Sequence, residues 1–128
     1  MSLTIEEQLA ITDLVNRLEL SVDDRDADAW WACFTPDGAF ENPSGKWAGE
    51  DAHRRLVAAQ VGLSRSQHAM TNLLIEGDGD RATARANGVV FEETDGHYTV
   101  SNFATQEHHF RRVNGAWLIE RTIRHRPN

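Results

Sequence analysis

A chain of 128 residues, 40% hydrophobic and 26% charged, has the size and composition of one globular domain, expected over residues 1–128, with no room for a separate cofactor domain beside it. Its formal charge of -7 argues against a nucleic-acid partner, which asks for a basic stripe; the arginine-dense stretch Arg111, Arg112, Arg121, Arg124 and Arg126 reads as strand-edge and tail charge. The lone Cys33 excludes an internal disulfide, the first residues lack the basic and apolar regions of a secretory leader, and no apolar run reaches membrane length, so a cytoplasmic location without a membrane partner is expected.

Thr4-Ile5-Glu6-Glu7 has the spacing of a capping box, in which a hydroxyl and a glutamate three residues on satisfy free amides at a helix start. Ile11, Leu14, Val15, Leu18 and Val22 then recur at helical spacing, which predicts a helix ending near Val22 with that stripe inward. Asp26 is placed to cap a short second helix carrying Trp30, Trp31 and Phe34, where Cys33 reads as a packed thiol. Pro36-Asp37-Gly38 predicts a turn into a short strand at Ala39–Asn42. A third helix is predicted from about Glu50 to Val61, with Ala52, Leu56 and Ala59 on its buried side.

From Ser64 the period changes to two, and turn signals at Gly77-Asp78-Gly79-Asp80, Thr94-Asp95-Gly96 and Asn114-Gly115 divide the rest into a four-stranded antiparallel meander. Helices first and strands after make an α+β domain. Alternation puts His68, Met70, Asn72 and Leu74 on one face of the first long strand. On the second strand Ala82, Ala84, Ala86, Gly88 and Val90 share a face, small enough to spare a cavity. On the third, Tyr98, Val100, Asn102, Ala104, Gln106, His108 and Phe110 are assigned to the concave side, and Thr99, Ser101, Phe103, Thr105 and Glu107 to the outer one.

This order of elements, together with Asp23 and Asp26 at the end of helix one, Phe34-Thr35-Pro36-Asp37-Gly38-Ala39-Phe40, Gly49, Ser66-Gln67-His68 with Asn72, and Asn114-Gly115-Ala116-Trp117, resembles the SnoaL-like, nuclear transport factor 2-like superfamily over nearly the whole chain. The resemblance implies three N-terminal helices packed on a strongly bent, mostly antiparallel sheet that forms a cone with an internal pocket, and a homodimer through the outer sheet face. Within its scytalone dehydratase and bile-acid dehydratase branch, an aspartate at the end of helix one faces a histidine on the first long strand, positions that match Asp23 and His68. A neutral imidazole accepts a proton near neutrality, and a carboxylate on its other nitrogen sets the tautomer and steadies the imidazolium. The pair suits loss of water from a β-hydroxy carbonyl, or a double-bond shift beside one, without a cofactor.

Two positions depart from the family's pattern. Leu18 stands where these dehydratases carry a carbonyl-polarising tyrosine, and Asn42 where ketosteroid isomerases carry an aspartate base. An amide cannot serve as that base. The expected ligand is a small hydrophobic molecule, lined by Leu18, Trp30, Phe40, Asn42, Trp47, Met70, Asn72, Ala86, Gln106 and His108. Each has a blander role available: the aromatic residues as core, the asparagines as turn formers, Gln106 as a surface amide, His68 as a bonded core histidine, Asp23 as a helix cap with Asp24 as its competitor. The six histidines show no H-x-H or H-E-x-x-H spacing and there is no cysteine cluster, so no metal site is expected. A second function class, a binding or accessory domain that holds a ligand without converting it, is favoured by Leu18 and Asn42.

Overall fold

The computed structural model describes residues 2–126. Three helices, α1 (Ile5–Asp23), α2 (Ala27–Trp31) and α3 (Glu50–Ala58), pack with strands β1 (Phe34–Asn42), β2 (Gly45–Ala48), β3 (Ser66–Asp78), β4 (Arg81–Thr94), β5 (His97–Val113) and β6 (Ala116–His125). The strands form one sheet in the order β2-β1-β6-β5-β4-β3. Every neighbouring pair is antiparallel except β1 and β6, which run parallel. No helix among the described residues is long and apolar enough to cross a membrane.

Local chemistry sets the element ends. Thr4 and Glu7 make the reciprocal capping box that starts α1, and Asp26 accepts from the Ala29 amide to start α2. Asn114 and Gly115 both have positive φ at the last hairpin, as a two-residue turn requires. The apolar stripe of α1 is buried against β-strand residues that include Ala82, Phe110 and Ile119, and α2 adds Trp30 and Cys33. Each fully buried aliphatic of this kind contributes about 1.5–3 kcal/mol from area removed from water. Burial pushes the Cys33 thiol up to about 11, so it is a packed, protonated side chain.

Several expectations are corrected. Pro36-Asp37-Gly38 lies inside β1, not in a turn before it: between Phe34 and Ala39 the pairing with β6 skips residues, a bulge that accommodates a proline without an amide proton. Phe34 starts that strand instead of ending α2. Helix α3 ends at Ala58, and its buried residues are His53 and Val57 while Ala59 is exposed. Trp30 donates its indole N–H to His53 Nδ1 at 2.9 Å, and His53 Nε2 donates to the Gly38 carbonyl at 2.9 Å, which accounts for a buried imidazole that burial holds below its ordinary pKa.

Bulges also reverse faces that strict alternation assigns. Asn72 adopts φ 57°, and the β3–β4 register shifts between Thr71 and Leu74, so Asn72 and Leu74 are exposed while Leu73 and Ile75 pack on the core. On β5, Val90 pairs with Asn102 but Phe91 with Val100, leaving Ser101 as the extra residue. Tyr98 and Val100 consequently turn to the outer face, beside Phe103. The small stripe on β4 is packed as well: Ala82 and Ala84 belong to the core, and Gln106 fills the space over Gly88.

Candidate active site

Because Val22 is anchored in the core, the last helical residue, Asp23, is delivered to the start of β3. Its Oδ1 lies 2.5 Å from His68 Nδ1 and accepts from the Ser66 hydroxyl at 3.3 Å, while Oδ2 accepts the His68 main-chain N–H at 2.8 Å. Asp24, the competing carboxylate, is the helix C-cap residue and bonds neither group. An ionised carboxylate only accepts, so His68 Nδ1 carries the proton and Nε2 keeps its lone pair. Both side chains are largely buried, at 14% and 13% exposure, which strengthens the pairing relative to water. Arg25, held at φ 56°, clamps the joint by donating to Val22 O, Ser66 Oγ and Ser64 O.

His68 lines a cleft of about 490 Å³ with Phe40, Asn42, Asn102 and Arg124. That volume suits a small organic ligand. Arg25, Arg124 and Arg126 face Glu92 as its only acidic residue among the described lining, a basic enclosure in a chain of net charge -7. His68 also borders a small recess of about 20 Å³, shared with Gly88, Asn102, Gln106 and Arg124. On its other side it joins a second opening beside Asp23, Leu63 and Tyr98.

Behind the cleft runs a buried polar chain that neutral burial would not tolerate without partners. Arg124 Nη2 donates to Glu19 Oε1 at 2.9 Å and Oε2 at 3.1 Å, and Gln106 Nε2 donates to Glu19 Oε1 at 3.2 Å. With its amide nitrogen so engaged, Gln106 presents Oε1 to His108 Nε2–H at 3.1 Å, and the Thr122 hydroxyl donates to His108 Nδ1 at 2.8 Å. Desolvation, helped by the charges of Arg124 and His109, pushes His108 down to about 3. It is a neutral relay of fixed tautomer.

The expected lining residues therefore separate. Phe40 and Asn42 border the cleft with His68; Asn42 also accepts the Ser44 amide at 2.8 Å, the turn chemistry of a strand-end asparagine. Gln106 is buried and reaches the recess. Leu18, Trp30 and Ala86 are buried away from the cleft, His108 sits behind Gln106, and Asn72 is exposed at its bulge. Trp47 and Met70 pack half-buried against the core, Trp47 beside Phe40. Arg124, read from the sequence as tail charge, is 13% exposed and ion-paired with Glu19, 105 residues away. Glu19 itself carries a signal, since it follows Ile11 and Val15 at four-residue spacing and so places a carboxylate on the buried stripe. No cluster of three or more His, Cys, Asp or Glu able to hold a metal occurs among the described residues.

The SnoaL-like domain family matches residues 3–123 of the chain. A protein of unknown function from Mycobacterium tuberculosis is 33% identical, with 92% of this chain and 70% of that one covered and a TM-score of 0.88. A cystatin-like protein of unknown function from Nostoc punctiforme is 26% identical over 98% of this chain and 94% of the other, TM-score 0.89. A Novosphingobium aromaticivorans protein described as a candidate scytalone dehydratase, 17% identical over 94% and 83%, superposes with a TM-score of 0.82 and shares the fold. No curated protein matches the chain.

Proposed function

The chain belongs to the SnoaL-like domain family, and from that premise we propose that it is a cofactor-independent lyase or isomerase acting on a small hydrophobic, ring-containing or polyketide-like compound. The observation that carries this reading is the 2.5 Å contact between Asp23 Oδ1 and His68 Nδ1, which leaves Nε2 as the basic nitrogen of a residue that borders the cleft. His68 takes the proton from the carbon beside a carbonyl; Asp23 holds the imidazolium. The same proton then goes to a departing β-hydroxyl, which leaves as water, or to a more distant carbon, which shifts the double bond. Acid–base work of this kind supplies about 10²–10⁴-fold of rate. In this reading the sheet curls as a cone around the cleft, and Phe40, in the cleft lining, serves as the aromatic wall for the ligand.

A second reading, a domain that holds such a compound without converting it, is favoured by Leu18 and Asn42 at positions where relatives place an electrophile and a base. Deuterium exchange at the α-carbon of ring ketones in D2O, followed by NMR, separates the two. We expect exchange with the wild type and none with His68→Ala of unchanged fold. Ketones that bind the wild type without exchanging would leave only the binding role. We further propose a homodimer through the outer sheet face, where Leu74, Tyr98, Val100 and Phe103 are exposed.

A further inference from the structure

Proton removal beside a carbonyl places negative charge on the carbonyl oxygen, and that charge needs donors aimed at it. With Leu18 buried in the core and no phenol there to polarise it, the donors must come from elsewhere in the cleft. Arg124 has them. Glu19 occupies one guanidinium nitrogen, Nη2. Nε has no hydrogen-bond partner but is closed off from solvent, so Nη1, which makes no hydrogen bond among the described residues, is the donor left for the cleft. A guanidinium carries five N–H donors, and one this deep normally has them satisfied. Its plane is set by Phe40, over whose ring it lies at 5.1 Å, and by Glu19. It borders both the cleft and the small recess that it shares with His68 and Asn102.

We propose that this recess is an oxyanion subsite, in which Arg124, assisted by Asn102, receives the substrate oxygen while His68 works on the neighbouring carbon. The recess, about 20 Å³, is small enough to take the oxygen end of a ligand and leave its ring in the cleft. The substrate class is a cyclic ketone or its enol, the carbonyl oxygen seated at Arg124 and the ring in the cleft, with phenolates as mimics of the enolate that proton removal forms. The relay Thr122–His108–Gln106–Glu19 keeps the Arg124 partner in place from behind. This assignment rests on the same cleft as the proposed proton transfer but makes a claim about binding, independent of turnover.

The test uses 4-nitrophenol, whose visible band reports the phenolate, with 4-nitroanisole and benzoate as neutral and carboxylate counterparts. The wild type is expected to bind the phenolate at least about tenfold more tightly than either, the scale of one charge-assisted hydrogen bond. His68→Ala should keep that preference, and a wild type that binds the phenolate yet gives no α-carbon exchange would overturn the lyase reading and leave the subsite standing. Arg124→Gln should lose it. Because Arg124→Gln strands a buried carboxylate, the double variant Glu19→Gln/Arg124→Gln serves as the charge-neutral companion, and Asn102→Ala, at an exposed position, should weaken phenolate binding without unfolding. Equal affinity for phenolate and anisole, tighter benzoate, or full phenolate preference in the double variant would each overturn the subsite.

Discussion

Asp23 grips His68 twice, at the ring nitrogen Nδ1 and at the main-chain N–H, so one carboxylate both joins α1 to β3 and aims the imidazole. Replacing it by asparagine is therefore a test with two readouts. Asp23→Asn either loses one of the two bonds or keeps its oxygen on the main-chain N–H and donates its NH2 to Nδ1, which moves the ring proton to Nε2 and removes the base. We expect α-carbon exchange to fall about 10²–10⁴-fold and stability to drop by about 1–3 kcal/mol, measured by NMR exchange and urea denaturation. Wild-type exchange in a folded Asp23→Asn protein would remove the carboxylate from the mechanism.

Stability should fall on mild acidification. His108 titrates at 6.5 when unfolded and is held down to about 3 by burial in the fold. Between those values the unfolded chain binds a proton that the folded chain refuses, so the contribution is complete above 6.5 and erodes as the pH falls toward about 3. His53, lowered by burial, acts in the same direction. The depressed carboxylates Glu7, Glu41 and Glu107 join only as the pH drops below 4.5, their ordinary value. Unfolding free energies from urea titrations taken from about pH 7 to about pH 5 should fall, by up to about 1.4 kcal/mol per pH unit for each such histidine. A folded His108→Gln protein should show the shallower slope, and a flat wild-type profile would contradict the buried neutral imidazole.

Gly88→Ala should unsettle the polar chain from the sheet side. A Cβ at Gly88 would lie 2.6 Å from Gln106 Nε2, the atom that donates to Glu19. Gln106 must move and its bond break, at about 1–3 kcal/mol. Thermal melts should show the loss, and a melting temperature equal to the wild type's would mean Gln106 gives way freely.

Self-association should depend on the outer face. Phe103 and Leu74 are 57% and 51% exposed there, and Phe103→Glu should convert the dimer to a monomer in light scattering coupled to size exclusion. A wild type already monomeric, or a variant still dimeric, would place the contact elsewhere.

Capping, turns and periodicity were legible in the chain because each depends on residues within a few positions of one another. Thr4 with Glu7, Asp26 with Ala29, and Asn114 with Gly115 formed the structures their spacing predicts. Alternation held until a bulge intervened: one extra residue at Asn72 or Ser101 flips everything beyond it, and no local pattern announces that insertion. Asp23 and His68 were singled out by resemblance, and their 45-residue separation shows why periodicity alone had no access to the pairing.

By itself, the sequence determined an α+β chain with its helices first, the caps and hairpins that start and turn the elements, and the family to which they belong. Tertiary structure alone decided which faces the bulged strands present, that Leu18 and Trp30 serve the core, and that Arg124 is buried against Glu19 with donors left over. The physical reason is the range of the interactions. Propensity and capping act within a turn of chain, whereas a buried ion pair exists only once folding has removed water from two charges 105 residues apart.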